Sequence, residues 1–175
     1  MPAPKPESWI QVTDRGFYVT PGGFYVDPTR PVDYAVVTHG HADHARPDHG
    51  HVLATPETLA IMRHRYQDRA GRAHDPMRFG ESRRIGEVTV HFVPAGHVLG
   101  SAQAVLEYQG SRVVVSGDYK RRHDPTCQPF EPVPCDAFVT EATFGLPVFR
   151  HPDAAGEVRR LLAAREQFQI GRAHV

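Results

Sequence analysis

A short histidine-rich segment constrains the fold and the chemistry of this 175-residue chain more than any other stretch. An apolar run at residues 34–37 predicts a strand, and it is followed by His39, His41, Asp43 and His44. Because side chains alternate between the two faces of a strand, His39 and His41 are expected to leave its end on the same side. Asp43 and His44 are predicted to lie in the first turn of a short helix and to face the same point. Three imidazoles and a carboxylate at this spacing suit two metal ions held close together, with zinc the first choice.

Length, charge and cysteine content narrow the class of protein without identifying it. The chain is long enough for one buried core, and its 20 basic residues equal its 20 acidic residues, so any nucleic-acid partner has to be recognised by a local patch. Cys127 and Cys135 do not form a Cys-x-x-Cys pair, and the first residues lack a signal-peptide pattern. These features predict a cytoplasmic protein with reduced thiols. No apolar run approaches the roughly 18 residues that a membrane span needs, so no membrane partner is expected.

Short apolar runs separated by turn residues predict a chain built mainly from strands. The predicted strands are at residues 9–12, 16–19, 23–26, 34–37, 51–54, 82–85, 88–93, 102–108, 112–115 and 136–140. The Thr-Pro-Glu at residues 55–57 is the start signal of a helix that runs to about Tyr66, and a second helix is predicted from Pro152. Residues 67–80 are predicted to be a polar loop, and His64 and His74 are predicted to be solvated rather than metal ligands.

Three further residues are predicted at strand ends, where folding can bring them to the histidine-rich segment. His97 follows the strand at residues 88–93 and lies between glycines that permit close approach of the backbone. Asp118 follows the strand at residues 112–115, and its carboxylate is well suited to bridge two metals. Asp27 closes the third predicted strand, where it either forms a turn or orients a ligand by a hydrogen bond.

A basic run and an acidic residue complete the candidate site. Lys120, Arg121 and Arg122 begin two residues after the proposed bridging carboxylate. A run of cations is either an ordinary solvated surface or a contact for substrate phosphates, and its position keeps both interpretations open. Glu141 ends the apolar run at residues 136–140 and is followed by Ala-Thr-Phe-Gly.

Together these motifs resemble the metal-binding pattern of the metallo-β-lactamase superfamily. Six residues match the ligand set of the superfamily in order and spacing: His39, His41, Asp43, His44, His97 and Asp118. Glu141, with the Ala-Thr-Phe-Gly that follows it, resembles the first acidic motif of the β-CASP nucleases, which cut DNA or RNA. The sequences Gly-His-Val-Leu-Gly-Ser-Ala at residues 96–102 and Ser-Gly-Asp-Tyr-Lys-Arg at residues 116–121 point to the same group. More narrowly, residues 9–164 resemble the N-terminal part of the bacterial ligase-associated DNA exonucleases.

The resemblance implies an α/β fold, the αββα sandwich of the metallo-β-lactamases, of which this chain is a truncated N-terminal part. Residues 1–169 are then an incomplete metallo-β-lactamase-like domain that lacks the β-CASP region and the last metal ligand. Residues 170–175 resemble the translation of a sequencing adapter, so His174 is expected to have no role. We expect such a chain to bind metal but to be a poor nuclease.

The resemblance also implies a metal-dependent DNA exonuclease of DNA repair, which acts beside an ATP-dependent DNA ligase and a helicase. The expected substrate is single-stranded or damaged DNA ends, and the expected cofactor is two zinc ions, with manganese as the alternative. One metal is assigned four ligands: His39, His41, His97 and Asp118. The other is assigned three and a histidine that this chain lacks: Asp43, His44 and Asp118. A hydroxide activated by both metals cuts the phosphodiester, with Asp43 as its base, while Glu141 orients a proton-donating histidine.

Three other interpretations share parts of this pattern. A hydrolase for thioesters or lactams has the same histidine-rich motif but not Glu141 with its Ala-Thr-Phe-Gly. An RNA-processing β-CASP nuclease has every motif found here. An inactive remnant that binds a metal without turnover agrees with the truncated ligand set.

Overall fold

The computed structural model describes residues 2–143, 145–150 and 152–168. The chain divides into two compact units, Met1–Glu141 and Ala142–Val175. The first unit contains two β-sheets and one α-helix, and the second contains a helix, α2 (Ala154–Phe168). Phe144 of the predicted Ala-Thr-Phe-Gly motif, His174 and the predicted adapter segment at residues 170–175 lie outside the described residues.

Sheet one contains six strands in sequence order. They are β1 (Ile10–Thr13), β2 (Gly16–Val19), β3 (Phe24–Val26), β4 (Tyr34–Val36), β5 (His51–Ala54) and β6 (Ala73–Pro76). The first three strands pair antiparallel, as expected for a meander with tight turns, and the pairs from β3 to β6 are parallel. Parallel neighbours need a crossover connection, and α1 (Pro56–Tyr66) supplies the one between β5 and β6.

The sixth strand of sheet one corrects the prediction of a polar loop at residues 67–80. That segment contains a 3₁₀ turn, Gln67–Arg69, and strand β6, which pairs in parallel with β5. Its sequence, Ala-His-Asp-Pro, lacks the β-branched residues that are typical of a strand. Strand β6 lies at the edge of the sheet, where its backbone hydrogen bonds to β5 hold it in place. His74 is half-buried in it and accepts a hydrogen bond from Arg63 Nε at 3.1 Å, so the prediction that His74 is solvated was wrong, whereas His64 is exposed as predicted.

Sheet two contains five strands in the order β11, β10, β9, β8, β7. They are β7 (Ser82–Ile85), β8 (Val88–Pro94), β9 (Ala102–Tyr108), β10 (Ser111–Val115) and β11 (Ala137–Val139). All neighbours pair antiparallel except β10 and β11. The hairpin between β9 and β10 turns at Gln109 and Gly110, both with positive φ, as the right-handed strand twist favours.

Two apolar clusters hold these elements together. One combines side chains of both sheets, such as Phe24 and Leu53 from sheet one with Phe92 and Leu106 from sheet two, so the two sheets pack face to face. The other lies on the opposite face of sheet one, where α1 contributes Leu59 and Met62. The first unit is therefore layered as helix, sheet one and sheet two. Within the described ranges, no helix is both long and apolar enough to span a membrane.

Helix α1 begins and ends where the sequence predicts. Thr55 is its N-cap, because its Oγ1 accepts a hydrogen bond from Thr58 N at 3.2 Å, and Pro56 occupies the first helical position. The last residue is Tyr66. Helix α2 begins at Ala154, two residues after the predicted start.

Candidate metal centre

The candidate ligands lie in loops that follow the carboxyl ends of strands. His39, His41, Asp43 and His44 follow β4 of sheet one. The others follow strands of sheet two: His97 after β8, Asp118 after β10 and Glu141 after β11. Because the two sheets pack face to face, loops from both can meet at one edge of the sandwich.

Four side chains converge into one cluster: His39, His41, His97 and Asp118. Each offers one ligand atom, and these atoms all lie within 4.8 Å of one another. Asp118 Oδ2 is 3.8 Å from His39 Nε2 and 3.6 Å from His97 Nε2. His97 Nε2 is 3.2 Å from His41 Nδ1. Folding thus brings together the four residues that the sequence assigned to one metal.

The second carboxylate oxygen of Asp118 faces the remaining two candidates. Its Oδ1 is 3.4 Å from His44 Nε2, and that nitrogen is 3.7 Å from Asp43 Oδ2. The two oxygens of one carboxylate therefore face two groups of ligand-type atoms. This is the arrangement that a bridging role for Asp118 requires, and the assignment of all six residues as ligands stays a prediction.

The chemistry of His39 tests whether these residues fit a metal ion. Its side chain is fully buried, and its Nε2 has no hydrogen-bond partner within the described part of the chain. Burial lowers the pKa of His39 to about 3, with a further contribution from nearby His44, so the imidazole is neutral. A buried, neutral nitrogen without a partner is unusual in a protein, and a divalent cation would satisfy it. The residues therefore fit a divalent metal such as zinc.

Asp27 lies behind two of these histidines and orients both. Thr38 Oγ1 donates to Asp27 Oδ2 at 2.6 Å, which leaves the Thr38 oxygen to accept from His39 Nδ1 at 3.1 Å. His44 Nδ1 is 2.8 Å from the same Asp27 oxygen. With both Nδ1 atoms used in this way, the Nε2 lone pairs of His39 and His44 point toward Asp118.

The geometry of Asp27 joins the two roles that the sequence left open. Its backbone φ is +43°, so it forms a tight bend, and its carboxylate also makes the hydrogen bonds described above. A positive φ is costly for a residue other than glycine and needs support from its surroundings. Burial works against the charged form of His44, but the hydrogen bond to Asp27 and the nearby carboxylates raise its pKa overall.

The histidine-rich loop itself departs from the prediction of a short helix. Ala45 N donates to His41 O at 2.8 Å and His44 N to the same oxygen at 3.2 Å, which closes a single turn. The turn does not continue as a helix because Pro47 lacks an N–H and disfavours helical geometry at Arg46.

Two hydroxyl residues that support the ligands were missed from the sequence. Thr38 links Asp27 to His39, and Ser101 Oγ accepts from the backbone N–H groups of His97 and Val98, each at 3.1 Å. The only available signal for Ser101 was its place in a glycine-bounded loop directly after His97.

Asp43 and Glu141 flank a small cavity next to His44. The cavity has a volume of about 300 Å³, and its walls also include Asp27 and Thr140. Asp43 is largely exposed; burial acts to raise its pKa, but its own backbone N–H and His44 lower the pKa overall. The carboxylate of Asp43 is therefore ionised near neutral pH. Glu141 is half-buried, and its charge acts on His97.

The basic run is not uniform in its surroundings. Lys120 Nζ is 2.7 Å from Asp124 Oδ2, and this ion pair lowers the pKa of Asp124. Arg121 and Arg122 are exposed. The ion pair with Asp124 partly neutralises the charge of Lys120. The phosphate-binding role of the run stays a prediction.

The sequence of the chain is similar to known proteins. Residues 8–166 match the family model described as "Beta-lactamase superfamily domain". A probable DNA ligase of Opitutus terrae is 31% identical over 151 residues, which cover 84% of this chain and 14% of that protein. Ribonuclease TTHA0252 of Thermus thermophilus is 31% identical over 151 residues, which cover 71% of this chain and 34% of that protein. The chain thus spans well under half the length of either relative.

A solved structure shares the fold at low sequence identity. It is a protein of unknown function from Enterococcus faecalis V583, with a TM-score of 0.51 and 14% identity. The alignment covers 77% of this chain and 39% of the Enterococcus chain. At this identity the likeness concerns the fold alone.

Proposed function

We infer that this chain, which belongs to the β-lactamase superfamily, is the metal-binding part of a hydrolase that cuts phosphodiester bonds. Its fold is that of the metallo-β-lactamases, as predicted, with two packed sheets and few helices. The observation that carries the proposal is the position of Asp118, whose two oxygens face His39 and His97 on one side and His44 on the other.

In the proposed centre, two sets of residues share one carboxylate. His39, His41, His97 and Asp118 would hold one ion, and Asp43, His44 and Asp118 the other. A pair of divalent ions held there, zinc or manganese, would supply Lewis acidity that lowers the pKa of a water molecule toward neutrality and stabilises negative charge on a phosphate.

The protein groups around the centre have separate tasks. Asp43 is ionised and exposed, so it can accept a proton from the attacking water. Asp27 and Thr38 keep the imidazoles of His39 and His44 in the tautomer that presents Nε2. Glu141 lies beside the same cavity, where it can orient a proton donor for the leaving group.

DNA is the proposed substrate, as single-stranded or damaged ends, in a repair reaction beside an ATP-dependent DNA ligase and a helicase. The similarity to a probable DNA ligase supports this choice. RNA is the second candidate, because a ribonuclease is also 31% identical over 151 residues. Exonuclease action on DNA and the use of zinc are parts of the same proposal.

A cleavage assay with matched nucleic acids tests the proposal. Labelled single-stranded DNA, nicked duplex DNA and RNA of the same sequence are incubated with zinc or manganese and the product of the complete gene, with the 175-residue chain beside it. We expect DNA cleavage that is lost with a chelator and in Asp118→Ala, and kept in His64→Ala, which alters an exposed histidine of α1. Cleavage of RNA alone would move the proposal to its second candidate. No metal-dependent cleavage of either nucleic acid would refute it.

A further inference from the structure

Helix α1 contacts the loop that carries His39 and His41. Arg65 Nη1 donates a hydrogen bond to the carbonyl oxygen of Gly40, between these histidines, at 2.7 Å. Gly40 is buried, and a Cβ added to it would lie 2.9 Å from Ile61 Cδ1. Ile61 and Arg65 are four residues apart, so they lie on the same face of the helix. The histidine loop is therefore held on α1 through a carbonyl group and by close packing.

The N-terminal end of the same helix contacts the loop that carries His97. Thr55 Oγ1 donates to Gly100 O at 2.7 Å, and Thr58 Oγ1 lies 3.3 Å from the same oxygen. A Cβ added at Gly100 would lie 2.6 Å from Glu57 Cβ. The His97 loop thus packs closely on the first turn of α1.

The two loops come from different sheets, because one follows β4 and the other follows β8. We propose that α1 is a positioning element, which sets the separation between His41 and His97, and that Arg65 is its main positioning residue. The proposal rests on the metal centre of the proposed function. It adds a residue that is not one of the proposed metal ligands and acts through the backbone of Gly40.

Metal geometry explains why this separation matters. Zinc binds imidazole nitrogens at about 2.0–2.1 Å, so a shift of a few tenths of an ångström in one loop weakens the whole ligand set. His41 Nδ1 and His97 Nε2 are already 3.2 Å apart, as two ligands of one ion can be. The bond from Arg65 is charge-assisted and partly buried, which makes it stronger than a bond between neutral groups.

The first experiment measures zinc affinity by competition with a chromogenic chelator. Arg65→Met removes the donor and keeps much of the side-chain volume, so we expect affinity to fall about tenfold. Arg65→Lys restores a cationic donor and should recover most of this loss. Arg63→Met is the matched control, because Arg63 lies on the same helix and bonds to His74 instead. Thermal unfolding of the metal-free forms should not distinguish Arg65→Met from Arg63→Met.

A second experiment tests the packing without altering a charge. Gly40→Ala places a methyl group against Ile61 and should weaken zinc binding, whereas Gly40→Ala with Ile61→Ala removes the two closest side-chain atoms and should recover most of it. Unchanged zinc affinity in Gly40→Ala, or no recovery in the double variant, would contradict a role of this contact in positioning the loop.

The outcomes separate the two proposals. Equal zinc affinity in the wild type, Arg65→Met and Gly40→Ala would overturn the role of α1 and leave the metal centre intact. If the wild type binds neither zinc nor manganese, the proposed function and this inference both fail.

Discussion

Asp27 sets the orientation of two candidate ligands with one carboxylate. Asp27→Asn keeps the shape of the side chain but removes its charge. His44 Nδ1 then loses its charged acceptor, and Thr38, which accepts from His39 Nδ1, loses the charged acceptor of its own hydroxyl group. We expect zinc affinity to fall about 10- to 100-fold, in line with other residues that support metal ligands from behind. Chelator competition measures this change. The control is Asp14→Asn, which alters an exposed acid paired with Arg30, and equal losses in both variants would contradict the prediction.

A different histidine gives the protein a pH dependence that needs no metal. His49 is fully buried and its Nδ1 accepts from Val32 N at 3.3 Å, and burial lowers its pKa. Below about pH 6.5 the unfolded chain gains a proton at this position that the folded chain does not bind. The free energy of unfolding should therefore decrease as the pH falls from 6.5 toward the lowered pKa of the folded state.

The variant His49→Asn isolates this contribution, because its amide oxygen can replace Nδ1 as the acceptor and does not titrate. Urea unfolding of the metal-free forms at pH 7 and pH 5 measures the difference. We expect a smaller loss of stability on acidification in His49→Asn than in the wild type. The same loss in both proteins would show that His49 does not cause it.

At the scale of single residues, candidate metal ligands were easier to predict from the sequence than the residues that form hydrogen bonds to them. The clustering of His39 and His41 with other ligand-type side chains was predictable, because few structural reasons place three imidazoles directly after an apolar strand. Their role as metal ligands stays a prediction. Thr38 and Ser101 were not predictable, since a hydroxyl group is common in loops and its hydrogen-bond partners are settled only in three dimensions. The sequence left Asp27 between two roles for the same reason, and the structure gives it both.

The elements show where local signals suffice. The bounds of α1 were predictable because Thr55 and Pro56 provide a capping signal that acts within a few residues. Strand β6 was not, because its pairing with β5 depends on a distant backbone edge rather than on its own side chains. The turn after His41 does not continue into the predicted helix, because Pro47 has no N–H to donate and disfavours helical geometry at the residue before it.

Removing the cap of α1 should have a measurable cost. Thr55→Ala deletes both the acceptor for Thr58 N and the donor to Gly100 O. We expect the free energy of unfolding to fall by about 1–2 kcal/mol, at the upper end for a capping residue. Urea unfolding measures it. Thr55→Ser keeps the hydroxyl and should lose much less, so equal losses would show that the methyl group rather than the cap matters.

At the scale of the whole molecule, the larger of the two apolar clusters lies between the two sheets of the first unit. Val90 is fully buried between them, whereas Val12 is 81% exposed on strand β1. Val90→Ala should lower the free energy of unfolding by about 2–3 kcal/mol, from lost burial and the cavity that remains. Val12→Ala makes the same chemical change at the surface and should alter it by less than about 0.5 kcal/mol. Similar effects in chemical denaturation would contradict this assignment of the core.

All candidate ligand loops follow the carboxyl ends of strands, whereas the hairpin at Gln109 and Gly110 lies at the opposite end of β10. This turn is therefore a practical place to attach the protein to a surface. Strand β10 runs from this turn toward Asp118, so the turn and the metal centre lie roughly 20 Å apart. Within the part of the chain that the structure describes, a Cβ added at Gly110 would come within 4 Å of Ala3 alone, at 3.8 Å. A short glycine-serine tether inserted here should let the protein be immobilised on a sensor surface with its zinc affinity unchanged within about twofold, whereas the same insertion after Gly96 should abolish binding. Loss of affinity from the hairpin insertion would show that this turn is not independent of the site.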